Sequence, residues 1–250
     1  MWRRWLGFNG LKHAWQRAVE LFYGRHEPLR LAFVDDHLVR RKFILSRASE
    51  FFKQDKFTPA PLLGLQLLDI GCGDTRMAQE LAFRGAEVLG IDPDERLIFQ
   101  ARANAEKMGS PAEFMATSAE RLVTEGRRFD VILCLDLFQH VHKLDQLLWA
   151  ASRLLKDDGL LIFSTTNRTW WSWFFEIFMA ELWYRWRPRG TSRYQKFIRP
   201  TELQRLFNRH RLTPDKLTGF LFTPLRREWV KTSHLHGRYM GVAYRTPQRD

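Results

Sequence analysis

Cysteine is nearly absent. Cys72 and Cys134 are the only two in 250 residues, and both fall inside regular or glycine-bounded segments. That excludes a disulfide-stapled scaffold and points to a reducing compartment. A long apolar run is also missing near the start. "MWRRWLGFNGLKHAW" is basic and aromatic but interrupted by Gly7, Gly10, Lys12 and His13. It offers no continuous core for a secretory signal and reads as an amphipathic leader, suited to an interface. Acidic residues are in deficit, 28 against 40 lysines and arginines, which leaves a net charge of +12. A soluble enzyme acting on neutral metabolites has no need of that excess. Anionic lipid and nucleic acid are the usual partners of such a chain. Basic residues are densest at Arg40–Lys42, Arg185–Arg193 and Arg226–Lys231. A solvated basic face without a partner is the plainer alternative.

What is present, from Leu65 onward, is an alternation of short apolar runs with amphipathic stretches. The runs "LQLLDI" (65–70), "AEVLGI" (86–91), "AEFMA" (112–116), "DVILCL" (130–135) and "GLLIFST" (159–165) read as strands. "TRMAQELAFRG" and "ERLIFQARANAEKMG" read as helices, the second closed by Gly109 as a left-handed cap. Alternating strand and helix predict an α/β fold with a doubly wound, mostly parallel sheet. After Pro200 a further helix is expected, with Thr201 as its N-cap. Two late strands follow in "KLTGFLFT" and "YMGVAYRT". The Pro-rich "FTPAPLLG" (57–64) reads as a hinge between an N-terminal helical extension (1–61) and the main domain (62–250). No internal repeat is visible, and the length suits one large domain.

In such sheets, ligands sit beyond the carboxyl ends of the strands, where strand order reverses. Gly71 and Gly73 put backbone without side chains there, and Asp92 closes the next strand, placed to accept both hydroxyls of a ribose. A dinucleotide site would carry a third glycine for the pyrophosphate. Here Asp74-Thr75-Arg76 follows instead. An acid repels a pyrophosphate but is compatible with an ammonium or a sulfonium. The cofactor expected is therefore S-adenosylmethionine rather than a nicotinamide dinucleotide. The plainer reading makes Gly71 and Gly73 a tight turn and Asp92 a helix cap. The fourth strand ends in the polar cluster Asp136, Gln139, His140 and His142, which would face the same cleft.

With these motifs in view, the chain resembles the class I S-adenosylmethionine-dependent methyltransferases. Within that class it is similar to the ubiquinone-biosynthesis O-methyltransferases, which methylate polyprenyl catechols. "LLDIGCG" and "VLGIDP" support only the broad class. "FSTTNRTWWSW", "RPRGTSRYQKFIRPTEL", "LTGFLFTPL" and "RYMGVAYR" resemble motifs of the narrower family. "EPLRLAFVDDHL" is similar to its Asn-Pro-x-Arg-Leu-x-Tyr-Ile lead-in helix. The resemblance spans roughly Arg25 to Arg245. It implies a seven-stranded Rossmann-like sheet, N-terminal helices that cap the cofactor, and a helical insertion after the fifth strand. It also implies that Arg30, Gly71, Asp92 and Leu135 contact the cofactor, with Gly73 beside them and Arg30 holding the methionine carboxylate.

The family's fourth-strand motif, acid, two spacers, Glu, His, is associated with a divalent metal such as Mg²⁺. In this chain it reads Asp136-Leu137-Phe138-Gln139-His140. Asp136 and His140 are then the candidate ligands, and Gln139 removes a carboxylate that a hard cation prefers. The family's glycines at 74 and 75 are also replaced, and its Trp-Trp-Asp segment has no clear match. Methyl transfer needs an aligned oxygen nucleophile and a group to take its proton. His140 is the candidate base, and Asp136 is the residue to orient it or share a metal with it. His142 is expected to face elsewhere if a helix has begun by then.

"TWWSWFFEIFMAELWYRWRPRG" concentrates aromatic residues and ends in arginines. As a helix it would be on the order of 25 Å long, and Glu176 and Glu181 make it a poor membrane span. Residues 169–193 instead read as an interfacial insertion that meets lipid phosphates through Arg185, Arg187, Arg189 and Arg193. Burial against the sheet is the alternative. The function expected is methylation of a membrane-dissolved polyprenyl catechol by a cytoplasmic enzyme, peripheral on the inner face of the membrane, with other quinone-biosynthesis proteins as partners and nucleic acid disfavoured. Two alternatives stand beside it. One is a methyltransferase with another acceptor, a lipid-soluble phenol or RNA. The other is a membrane-bound scaffold with weakened catalysis, which Thr75 and Gln139 would explain.

Overall fold

The computed structural model describes residues 35–55, 57–73, 75–183, 188–223 and 226–246. Helix α1 (His37–Phe51) leads into β1 (Gln66–Ile70), α2 (Arg76–Phe83), β2 (Glu87–Asp92), α3 (Glu95–Met108) and β3 (Glu113–Ala116). Next come α4 (Ala119–Thr124), β4 (Phe129–Leu135), α5 (Leu144–Leu154) and β5 (Leu155–Thr166). One α-turn, Trp170–Ser172, runs into a π-helix, Trp173–Trp183. Then α6 (Pro200–Arg209) precedes β6 (Leu212–Pro214), β7 (Thr218–Thr223), β8 (Glu228–Thr232) and β9 (Arg238–Arg245).

The sheet runs β3-β2-β1-β4-β5-β9-β7-β8, with β6 paired to β9. β1 to β5 are parallel, and β6 to β9 pair antiparallel. Strand order reverses between β1 and β4, so the crevice beyond their carboxyl ends is the place where such sheets take ligands. The five parallel strands and both late strands lie where the apolar runs put them. The described sheet nevertheless has nine strands rather than seven. β6 is only three residues long, and β8 is embedded in the charged run Arg226–Lys231, which obscures its alternation.

Both faces of the sheet are covered, as side-chain alternation in a buried strand requires. Leu67, Val131, Leu133, Leu160 and Ile162 pack on one side with Phe43 and Ile44 of α1, Met77 and Leu81 of α2 and Ile98 of α3. Leu68, Ile132, Cys134, Leu161 and Phe163 pack on the other with Leu122 of α4, Leu148 of α5 and Phe207 of α6. Helix α3 starts at an Asp94 cap whose side chain accepts from the Arg96 amide at 2.9 Å, and it ends at Gly109 with φ +61°, as expected. Thr201 is not the cap of α6. Pro200 takes the first helical position, and the Glu202 carboxylate accepts from the Arg199 amide at 3.2 Å.

Candidate active site

The loop after β1 is shaped by backbone it cannot do without. Gly71 has φ +71°, and a Cβ there would lie 2.8 Å from Leu137 Cδ1. At Gly73, φ +46°, a Cβ would meet only Gly71 O, at an ordinary contact distance of 3.7 Å. The Gly71 and Cys72 amides both donate to Ile91 O, at 2.8 and 3.2 Å, and the Thr75 amide donates to Cys72 O at 2.9 Å. These donors are consumed inside the turn. Those three amides are therefore not open to a phosphate, which agrees with a cofactor lacking a pyrophosphate. Thr75 itself adopts φ +62°, a left-handed conformation unfavourable for a β-branched residue, with its hydroxyl accepting from Gln79 Nε2 at 2.9 Å.

Across the loop, Asp92 closes β2. Its Oδ1 accepts from the Asp94 amide at 2.9 Å, and Asp94 rather than Asp92 caps the helix. Beside it, Ala116 of β3 is in register with Asp92, and the next residue, Thr117, is buried with a hydroxyl that finds no partner among the described residues. A bare loop, a carboxylate and an orphaned hydroxyl at neighbouring strand ends fit a nucleoside, because a buried polar atom without a partner is otherwise costly. One threonine after a strand carries no signal in the sequence until its burial is known. Leu135 ends β4 half-buried, on the far side of the crevice from Asp92. Arg30 and Asp74 lie outside the described residues.

Beyond β4 and β5 is a cavity of about 460 Å³, lined by Asp136, Gln139, His140, His142, Glu176, Lys196 and Arg238 among others. The segment following β4 is a series of turns, and α5 begins only at Leu144. His142 therefore lines the same cavity as His140, contrary to the sequence expectation, because no helix has yet turned it away. Both imidazoles sit on exposed residues.

The cavity floor is ionic. Asp136, at φ +49°, donates its amide to Ser164 Oγ at 2.8 Å and accepts at Oδ1 from that hydroxyl at 3.0 Å. Its Oδ2 is paired with Arg40. Arg40 also holds Asp36 at 2.5 Å, Asp36 holds Arg238 Nη1 at 2.7 Å, and Arg238 grips Glu176 through Nε and Nη2 at 2.7 and 2.9 Å. The Arg238 guanidinium lies over the Trp229 ring, 4.7 Å from its centroid. The chain Asp136–Arg40–Asp36–Arg238–Glu176 thus joins α1, β4, β9 and the π-helix. Burial works to raise the Asp136 carboxyl, but the Arg40 and Arg238 charges, with hydrogen bonds from Arg40 and Ser164, hold it well below the usual carboxylate range. Asp136 is consequently committed to Arg40 and Ser164 and is not bonded to His140, the orienting role expected of it.

That donor set does not fit a divalent metal. The Asp136 carboxylate is neutralised by a guanidinium, and Gln139 Oε1 accepts from Thr165 Oγ1 at 2.8 Å. Among the described residues no three acids, histidines or cysteines come together as ligands.

The aromatic insertion turns its acids inward. Glu181 accepts from the Gly190 and Ser192 amides at 2.8 and 2.7 Å, fixing the loop that walls the cavity, while Glu176 is buried against Arg238. Five residues apart, these acids would diverge by about 140° on an α-helix. The i to i+5 bonding of a π-helix brings them to one side.

A family model described as a methyltransferase domain matches residues 36–216. A ubiquinone biosynthesis O-methyltransferase of Bartonella bacilliformis is 34% identical, covering 93% of this chain and 91% of the relative. Another bearing that name, from Azorhizobium caulinodans, is 39% identical over 81% of this chain and 76% of its own length. Among solved structures, a magnesium protoporphyrin IX methyltransferase of Synechocystis with bound S-adenosylmethionine aligns with TM-score 0.56 at 16% identity, covering 94% of this chain and 97% of that one. The fold is thus that of S-adenosylmethionine-dependent methyltransferases, and by its relatives the chain belongs to the ubiquinone biosynthesis O-methyltransferase family of methyltransferase-domain proteins.

Proposed function

We propose that this chain is an S-adenosylmethionine-dependent O-methyltransferase of ubiquinone biosynthesis whose acceptor is a polyprenyl catechol reached from the membrane surface. The observation that carries the reading is the position of the 460 Å³ cavity, beyond the carboxyl ends of β4 and β5 and next to the crevice that Gly71 and Asp92 border. Gly71, Gly73, Asp92, Leu135 and Thr117 would hold the cofactor, with Arg30 at its methionine carboxylate. When bound there, S-adenosylmethionine supplies an electrophilic methyl group.

The chain's own part is to bind, align and deprotonate. The acceptor ring enters the cavity, one hydroxyl is held toward the crevice, and its proton passes to the imidazole of His140 as the new O–C bond forms. His142 is a second imidazole on the same wall. Asp136 and the guanidiniums behind it set the polarity of the floor and the position of the β4 end.

The outer side of the insertion supports the membrane placement. Trp170 is 62% exposed, and Trp171, Trp173 and Phe175 each about 40%, with Trp170 and Trp171 stacked at 4.3 Å. Arg189 and Arg193, in the segment that follows, are also exposed. Indole rings with arginines suit the headgroup layer. Among the described residues no helix is long and apolar enough to cross a membrane.

Calorimetry with S-adenosylhomocysteine, using Asp92→Ala as control, tests the cofactor half. Absence of binding to the unaltered protein would leave the scaffold reading in its place. Quinone profiling of a deletion strain tests the acceptor: an unmethylated polyprenyl catechol should accumulate, and an unchanged profile would refute this substrate.

A further inference from the structure

The cavity is lined by the carboxylates of Asp136 and Glu176, and a guanidinium sits against each of them. Arg40 reaches from α1 to Asp136, with side chains only 14% and 29% exposed, and bridges it to Asp36. Arg238 repeats the pattern between Asp36 and Glu176. Acids and guanidiniums alternate, so each of the three carboxylates already faces a cation. Gln139 supplies no charge, and its amide oxygen is occupied by Thr165. A divalent ion at Asp136 would have to displace a buried guanidinium and then sit beside it, an unfavourable like-charge contact in a desolvated place.

We propose that Arg40 is the built-in cation of this site, so that methyl transfer by this chain proceeds without a divalent metal. The inference rests on the methyltransferase reading above. Arg40 is a positioning residue: it holds the Asp136 carboxylate and the β4 end toward the cavity by a bond that, in a metal-dependent site, the ion would provide. Gln139 belongs to the same exchange. Once the guanidinium balances Asp136, a second carboxylate at 139 would be left without a counter-charge.

Two measurements on the full-length protein test this. In the first, Mn²⁺ is titrated into chelator-treated protein and the free ion is followed by electron paramagnetic resonance. The unaltered chain should hold no stoichiometric Mn²⁺, whereas the double variant Arg40→Met with Gln139→Glu should gain a site that a further Asp136→Asn removes. In the second, transfer to a short-chain polyprenyl catechol is measured in EDTA and in millimolar MgCl₂. The rates should agree within about twofold, and Arg40→Lys should keep that indifference because it keeps the charge. One Mn²⁺ per unaltered chain, abolished by Asp136→Asn, would overturn the proposal, as would activity lost in EDTA and restored by Mg²⁺. If no transfer occurs under either condition, the acceptor reading fails, and the Mn²⁺ titration on the unaltered chain decides the question by itself, as it also does if the double variant does not fold.

Discussion

The residues that matter most after β1 are those whose backbone or burial leaves few substitutes. Gly71 stands at φ +71° with Leu137 Cδ1 only 2.8 Å from where a Cβ would be. Gly71→Ala should therefore lose measurable S-adenosylhomocysteine binding in calorimetry while costing the fold about 1–2 kcal/mol from the left-handed alanine. Thr75 is a different case, because a threonine already occupies the left-handed position at φ +62°. Thr75→Gly should be more stable than Thr75→Ala by about 1 kcal/mol in urea denaturation, since both lose the Gln79 hydrogen bond but only alanine keeps the strain. Both glycines were legible as a nucleotide loop. Thr117 and Arg40 were not: the first is defined by a hydroxyl left without a partner, and the second read as part of the surface run Arg40–Lys42. In the folded chain Arg40 is paired inside with Asp36 and Asp136, while Arg41 reaches Glu80 at 2.5 Å. That basic stretch contributes less to a free positive surface than its composition implies.

At the scale of elements, the insertion presents different chemistry on its two sides. Glu176 and Glu181 face the protein, and Trp170, Trp171, Trp173 and Phe175 face out. Replacing Trp170, Trp171 and Phe175 together with serine should lower retention on anionic vesicles at least tenfold in flotation, with cofactor affinity unchanged. Glu176→Ala should behave in the opposite way. It strands the Arg238 guanidinium, and loss of one partner of a buried pair costs on the order of 3–5 kcal/mol, to be read as a fall in the unfolding midpoint with vesicle binding retained. The aromatic stretch and its arginines were visible from composition. That the acids point inward was not, because sequence alone suggested an α-helix, on which Glu176 and Glu181 diverge.

For the whole molecule, one ionic chain ties α1, β4, β9 and the insertion together, so stability should follow its charge state. The Asp136 carboxyl is held below its ordinary value in the folded protein. Its contribution is complete above the unfolded value of about 3.9 and is lost as pH falls from there through the folded one. Thermal melts between neutral and acidic pH should show a loss of melting temperature below that value that is shallower in Asp136→Asn. A slope unchanged in the variant would mean that other carboxylates govern the acid limb.

The sequence by itself determined the parallel half of the sheet, the bare loop after β1, the carboxylate at the end of β2 and the family, because strand alternation, glycine and motif spacing are local properties of the chain. It also marked His140 and Asp136 as cleft residues from their place just past β4. Only the tertiary structure decided what those side chains do. Asp136 answers to Arg40, 96 positions away, and Arg238 to Asp36, 202 positions away. An ionic network assembled from four distant elements has no local signature, since a charged residue looks the same in sequence whether folding leaves it in water or closes it against an opposite charge.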